Sequence, residues 1–297
     1  MTAIHKAMHD RLTAGLALLP DKPEETVEST LHALWFTAVG EPRSAAYAMQ
    51  AELPQLATSE AAMLLENLVA RRLAGEPLAH ITGRQRFMDL DMLSGMQALI
   101  PRVETEQLVR ACVDLLRQPD APARPCVIDV CTGSGNIAFA IAHHLPDAFV
   151  SASDLSDEAI AFARQNGTHL RLQHRVAFHT GDLMAPFETP DHSGRTDLIV
   201  CAPPYICTAK VEQMASEISG HEPRLAFDGG PFGVTILMRL IEDAPRFLRV
   251  GGWLAMEVGL GQGALLVKRL QKNDAFRVVR GLTDAGGAVR VVLACRR

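Results

Sequence analysis

The chain has 297 residues, 48% hydrophobic and 21% charged, with a formal net charge of −5. That composition excludes a disordered chain, and the acidic balance argues against nucleic acid as substrate, since proteins that hold a duplex carry a basic field. No apolar run reaches the roughly 18 residues a membrane helix needs, and the start, MTAIHKAMHDRL, is too polar for a signal peptide, so a cytoplasmic location is expected.

In chain order, the first part predicts helices only. Pro23 with Glu24 and Glu25 opens one, because proline fits a first turn and acids suit its positive end. Leu31, Leu34 and Trp35 give it an apolar face and Gly40 ends it. A second helix starts near Ser44. A third starts near Ser59, with Glu60 in its first turn and Leu64, Leu65, Leu68 and Leu73 at helical spacing; Gly75 and Pro77 end it. Residues 1–76 are therefore expected to form a helical domain. Residues 77–104 run in short alternating stretches between turn residues and are expected as a β-hairpin linker. A helix over about 105–116 follows, then the proline-rich loop RQPDAPARP.

From Pro125 the pattern alternates strand and helix. Strands are predicted at 126–130, 149–154, 175–180, 197–202 and 253–259, with helices at 136–145, 157–166 and 236–248. The last two strands, 276–280 and 288–295, flank the turn Gly286-Gly287 and read as an antiparallel edge hairpin. This order implies a mostly parallel α/β sheet covered on both faces, spanning 105–297. Six cysteines, at 112, 126, 131, 201, 207 and 295, form no CxxC pair. They are read as reduced thiols, and no metal site is expected.

Asp129-Val-Cys-Thr132-Gly133-Ser-Gly135-Asn136 follows the first of these strands and opens a helix. Glycines there let the backbone approach a ligand closely, at the carboxyl edge of the sheet. Asp154, followed by Leu155, ends the next strand, where a carboxylate can accept both ribose hydroxyls of a nucleoside. The third glycine of a dinucleotide fingerprint is absent, since Ala138 takes its place. Gly181-Asp182-Leu183 comes just after the third strand. An acid there can accept the exocyclic amine of adenine, or it can be a helix cap. Three acids after or within successive strands point to a nucleoside cofactor.

The fourth strand runs into Cys201-Ala202-Pro203-Pro204-Tyr205. Two prolines stiffen the backbone. The carbonyls before them can then accept hydrogen bonds from an amino group and present its nitrogen to a methyl donor, with the Tyr205 ring as one wall.

A GxG turn, a second-strand acid, GDL and a PPY motif, in that order, resemble the class I amino-methyltransferases. Gly75-Glu-Pro-Leu, Ile81-Thr-Gly83, Phe87 and Leu99-Ile-Pro-Arg102-Val-Glu104-Thr-Glu106 narrow the likeness. With His221-Glu222-Pro223, Gly229-Gly230, Gly233 and Glu257-Val-Gly259, they resemble the protein-glutamine methyltransferases of the HemK/PrmC type. The resemblance covers roughly residues 70–260. It implies a Rossmann-like methyltransferase sheet behind a helical domain that docks substrate or acts as a lid. It also implies S-adenosylmethionine as cofactor, released as S-adenosylhomocysteine. Arg102, Glu106, Asp129, Thr132, Gly133, Gly135, Asn136, Asp154, Leu155, Gly181, Asp182, Leu183 and Ala202 are the implied cofactor residues. Phe87, Pro203, Tyr205, His221 and Glu222 are the implied substrate residues, with Ala202, Pro203, Pro204 and Tyr205 as the catalytic motif. No histidine or cysteine is spaced as a base; His221 is the nearest candidate, and loop packing beside Glu222 is the better reading of it.

Two residues depart from the family pattern. Ala202 replaces the asparagine whose side chain grips the acceptor amide, and Val103 replaces a proline. The first departure leads to the expectation of a divergent enzyme that methylates nitrogen or oxygen of another acceptor, such as a small-molecule metabolite. Methylation of the glutamine in the Gly-Gly-Gln motif of release factors is the alternative, and a cofactor-binding protein without turnover is a third reading.

Overall fold

Three threonines start the three long helices of the N-terminal part. Thr2, Thr26 and Thr58 each accept a backbone N–H three residues on, at 3.3, 3.0 and 3.1 Å, which satisfies donors a helix start leaves free. In the computed structural model, which describes residues 2–214 and 216–297, the resulting elements are α1 (Ala3–Gly15), α2 (Val27–Ala38), α3 (Ala45–Ala48), α4 (Ser59–Leu73) and α5 (Leu78–Thr82). A hairpin of β1 (Arg84–Phe87) and β2 (Leu90–Leu93) follows. Met1–Val103 and Ala215–Glu222 form one compact unit, so the hairpin belongs with the helices. Its core joins Leu12, Leu31, Leu34, Trp35, Leu65 and Leu68. Leu64, expected on that face, is instead 43% exposed.

The helix expected to open at Pro23 begins at Val27. Thr26 and Ser29 form a capping box, which fixes the start. Glu25, rather than complementing a helix dipole, is buried against Arg72, 3.1 Å away. Arg72 also meets Glu217 at 3.1 Å, and Lys22 meets Glu217 at 2.7 Å. Burial pushes the Glu25 carboxyl up, whereas Lys22 and Arg72 outweigh burial at Glu217 and hold it low. Two cations and two carboxylates thus share one buried cluster.

The second unit, Glu104–Met214 with Pro223–Arg297, holds a seven-stranded sheet. Its elements are α6 (Glu106–Leu116), β3 (Cys126–Val130), α7 (Asn136–His144), β4 (Phe149–Asp154), α8 (Asp157–His169), β5 (Val176–Thr180), β6 (Thr196–Cys201) and α9 (Thr208–Val211). After the short α10 (Ser216–Ser219) of the first unit come α11 (Thr235–Phe247), β7 (Leu248–Glu257), α12 (Gly263–Gln271), β8 (Phe276–Thr283) and β9 (Val289–Arg296). The order is β5-β4-β3-β6-β7-β9-β8, parallel from β5 to β7, with β9 antiparallel to both neighbours. This is the expected α/β sheet with its antiparallel edge. β6 is buried throughout and β3 nearly so, as strands covered on both faces must be. The order reverses between β3 and β6, so the turns after these two strands flank the switch point where such sheets bind ligands.

Candidate active site

The turn after β3 is left-handed at Cys131, Gly133 and Gly135, with φ of 60°, 54° and 82°. At Gly135 glycine is required twice over, since a Cβ would also lie 2.6 Å from the Phe139 ring. Thr132 donates its N–H to Ser153 O at 2.9 Å, which ties the turn to β4. Asp129 is fully buried. Its Oδ2 accepts from Thr132 Oγ1 at 2.6 Å and from Ala138 N at 3.2 Å. Its Oδ1 is buried with no hydrogen-bond partner among the described residues. Burial pushes this carboxyl up to about 7, against the pull of those two donors.

Asp154, at the end of β4, accepts Gly133 N–H at 2.8 Å and Ser156 N–H at 3.0 Å. Burial raises it also, partly offset by these amides. Leu155 beside it is 57% exposed. Gly181 donates to Asp154 O at 2.9 Å, and a Cβ there would lie 2.5 Å from the Pro186 ring. Asp182 is exposed and pairs with Arg239 at 2.6 Å. The Leu183 side chain is in the core, and its carbonyl accepts from Ser153 Oγ at 3.1 Å. Asn136 begins α7, and Glu106, at the start of α6, is buried and pairs with Arg110 at 2.6 Å.

These residues fit S-adenosylmethionine on structural grounds. An orphaned buried carboxylate oxygen sits at the base of a left-handed turn, Gly133 and Gly135 keep the edge of that turn bare of side chains, and a second carboxylate stands one strand away. Asp154 suits a ribose diol, and the Asp129 edge of the turn suits the cationic amino-acid end.

The acceptor motif leaves β6 and is clamped from behind. Ile206 N donates to Phe227 O at 3.0 Å, and Gly229 N donates to Ile206 O at 2.8 Å. A Cβ on Gly229 would lie 2.6 Å from Pro204 O, and one on Gly233 would strike Tyr205 O. The Tyr205 hydroxyl donates to Glu257 Oε1 at 2.9 Å, and Arg290 Nη2 lies 3.4 Å from the same hydroxyl. Burial pushes both groups up, the Tyr205 phenol and the Glu257 carboxyl. Gly259 leaves room for the tyrosine ring, 3.1 Å from where its Cβ would be. Gly229, Gly233, Gly259 and Glu257, all quoted for the resemblance, are thus the parts packed against Pro204 and Tyr205. Sequence reasoning gave them no such job, and it missed Arg290, Gln262, which donates to Tyr205 O at 2.9 Å, and Asp228, which accepts from Thr208 Oγ1 at 2.7 Å and from Gly230 N at 3.1 Å.

The remaining implied residues lie in the first unit. Phe87 is 1% exposed, so its ring offers no face to an incoming substrate here. Glu222 accepts from Ile100 N at 2.8 Å and from Arg102 at 2.6 Å, and Arg102 also faces Asp21 at 3.3 Å. These two side chains are engaged with each other, and that pairing fixes the segment they share. His221 is partly buried in the same stretch.

Two family models match the chain: a methyltransferase domain over residues 127–221, and the PrmC N-terminal domain over residues 14–83. A release factor glutamine methyltransferase from Moorella thermoacetica is 37% identical over 263 residues, covering 89% of this chain and 88% of that protein. This chain belongs to the release factor glutamine methyltransferase family. A Streptomyces coelicolor member is 40% identical over 218 residues, 73% of each chain. The N-terminal domain of human METTL16 shares the fold, with a TM-score of 0.53, 18% identity and coverage of 75% of this chain and 81% of that one. The chain is accordingly an S-adenosylmethionine-dependent methyltransferase with a Rossmann-like domain. Membership bears on one expectation. The relatives carry the name of a release-factor acceptor, which favours that acceptor over the small molecule inferred from Ala202. No helix among the described residues is long and apolar enough to cross a membrane.

Proposed function

We propose that this enzyme methylates the side-chain amide nitrogen of the Gly-Gly-Gln glutamine in a peptide chain release factor. What carries the reading is likeness along most of the chain to enzymes of that name, together with an acceptor motif whose backbone is held rigidly without the asparagine. Bound S-adenosylmethionine supplies an electrophilic methyl group. The chain's own part is positioning and exclusion of water. Asp129, Asp154 and the turn between them hold the cofactor. The carbonyls of Ala202 and Pro203 accept from the glutamine amide, while Tyr205, tied to Glu257, walls the site. As the nitrogen–carbon bond formed, the bond between that methyl and sulfur would break, leaving S-adenosylhomocysteine, and the methylated amide would give up its extra proton to solvent afterwards.

Loss of the asparagine costs rate rather than identity. A polar substrate group left without one partner costs about 1–3 kcal/mol, or roughly one to two powers of ten in rate. The test is transfer of label from S-adenosylmethionine to a recombinant release factor, with an Ala202→Asn version alongside. Labelling of the glutamine by the natural chain, raised ~10-fold to 100-fold in Ala202→Asn, is expected. Cofactor binding with no labelling by either version would refute the acceptor. Tight cofactor binding without turnover on any acceptor would instead mark a protein that has lost catalysis.

A further inference from the structure

Gln262 stands at the N-cap of α12 but makes no capping hydrogen bond, although this position usually holds a residue that caps. Its amide reaches three backbone groups of three loops instead. Nε2 donates to Tyr205 O at 2.9 Å and to Gly233 O at 3.1 Å, and Oε1 accepts from Gly259 N at 2.9 Å. Both N–H donors and the carbonyl are therefore engaged. The two glycines bracket it closely: a Cβ on Gly233 would lie 2.9 Å from Nε2, and one on Gly259 would lie 3.0 Å from Oε1. A glutamine amide fits this gap because it alone offers two donors and an acceptor in one plane at that reach.

We propose that Gln262 is a positioning residue for methyl transfer, acting through the peptide of Tyr205. The inference rests on the acceptor reading above. With alanine at position 202, the acceptor amide is held by backbone carbonyls, so their direction sets the attack geometry. Pro203 and Pro204 have φ fixed by their rings. An orientation imposed on Tyr205 is therefore passed back along the motif with little slack. Gln262 imposes it, and at the same time holds the 229–233 loop against the motif.

The experiment compares the natural enzyme with Gln262→Met, which keeps the length and loses all three bonds, and Gln262→Glu, which keeps only the acceptor for Gly259. Cofactor affinity is measured by calorimetry and transfer by labelling of the release factor. The chain has two tyrosines, so fluorotyrosine incorporation gives two ¹⁹F signals, with Tyr47→Phe identifying that of Tyr205. In both variants kcat falls ~10-fold to 100-fold, as expected for a displacement near 1 Å. KM and Kd for S-adenosylmethionine stay within about twofold, and the Tyr205 signal shifts or broadens while that of Tyr47 does not. The proposal is overturned if kcat holds within about twofold, if the Tyr205 signal is unmoved, or if cofactor affinity falls along with kcat. Should the natural enzyme not label the release factor, the acceptor reading fails alone, and the Tyr205 signal then decides the role of Gln262.

Discussion

Replacing Gly233 by alanine should separate backbone strain from damage to the acceptor motif. Gly233 has φ of +68°, where an L-residue costs about 1–2 kcal/mol. Its new Cβ would also land on the Tyr205 carbonyl oxygen. That oxygen must retreat by roughly 1 Å to regain van der Waals contact, and a shift of this size near the chemistry costs about a hundredfold in rate. Gly287, with φ of +80° and nothing within 4 Å of where a Cβ would stand, carries the strain without the collision. Gly287→Ala should lose about 1–2 kcal/mol in urea unfolding, and Gly233→Ala more than that, because its Cβ also displaces backbone. Only Gly233→Ala should lose transfer to the acceptor, by ~100-fold in kcat, with cofactor affinity kept. Equal activity of the two variants, within about threefold, would show that contact with Tyr205 O does not govern the geometry.

Other parts of the structure give separate tests. Asp129 keeps its proton in the folded chain up to about 7, against 3.8 ordinarily. Its contribution to stability is therefore full below 3.8 and is lost as pH rises to about 7. Unfolding free energy of the natural chain, minus that of Asp129→Asn, should fall steadily between about pH 5 and pH 7; a flat difference would place the carboxyl in its ordinary range. Arg72→Met takes the ion-pair partner from buried Glu25 and leaves Glu217 with Lys22 alone, and should destabilise the helical unit by about 3–5 kcal/mol, read by denaturant unfolding. A loss below about 1 kcal/mol would mean that the cluster is solvated. Tyr205→Phe removes the donor to buried Glu257 and should cost about 1–3 kcal/mol of stability; an unchanged unfolding midpoint would contradict that bond.

The sheet was legible because its strands sit between two layers. β3, β4 and β6 read as short apolar runs, and the glycine turn follows directly from the first of them. Local chemistry was legible for the same reason: Asp129, Asp154 and the proline pair each stand at a strand end. What was missed depends on partners distant in sequence. Pro23, Glu24 and Glu25 carry every local sign of a helix start, but Arg72, 47 residues after Glu25, claims the last of them. Helix α12 went unread because its start, Gln262, gives its amide to loops rather than to the helix end. Phe87 entered the substrate set only through the resemblance; a hairpin buries alternate residues, and Gln85 and Phe87 are the buried ones. Ala202 misled in another way: the side chain was legible, but the clamp that supports its backbone was not.

The split path of the chain also sets a schedule for synthesis. Arg72 and Glu217 are 145 residues apart in sequence, and Glu222 meets Ile100 N across 122. A ribosome adding about 5–20 residues per second needs roughly 7–30 s to span the first interval. Through that time Arg72 and Lys22 lack Glu217, so the helical unit waits, incompletely neutralised, for a segment encoded after the acceptor motif. A gene fragment ending near residue 103 would therefore yield helices with an unmatched buried cation, and a chimera that swaps this unit must carry residues 215–222 with it.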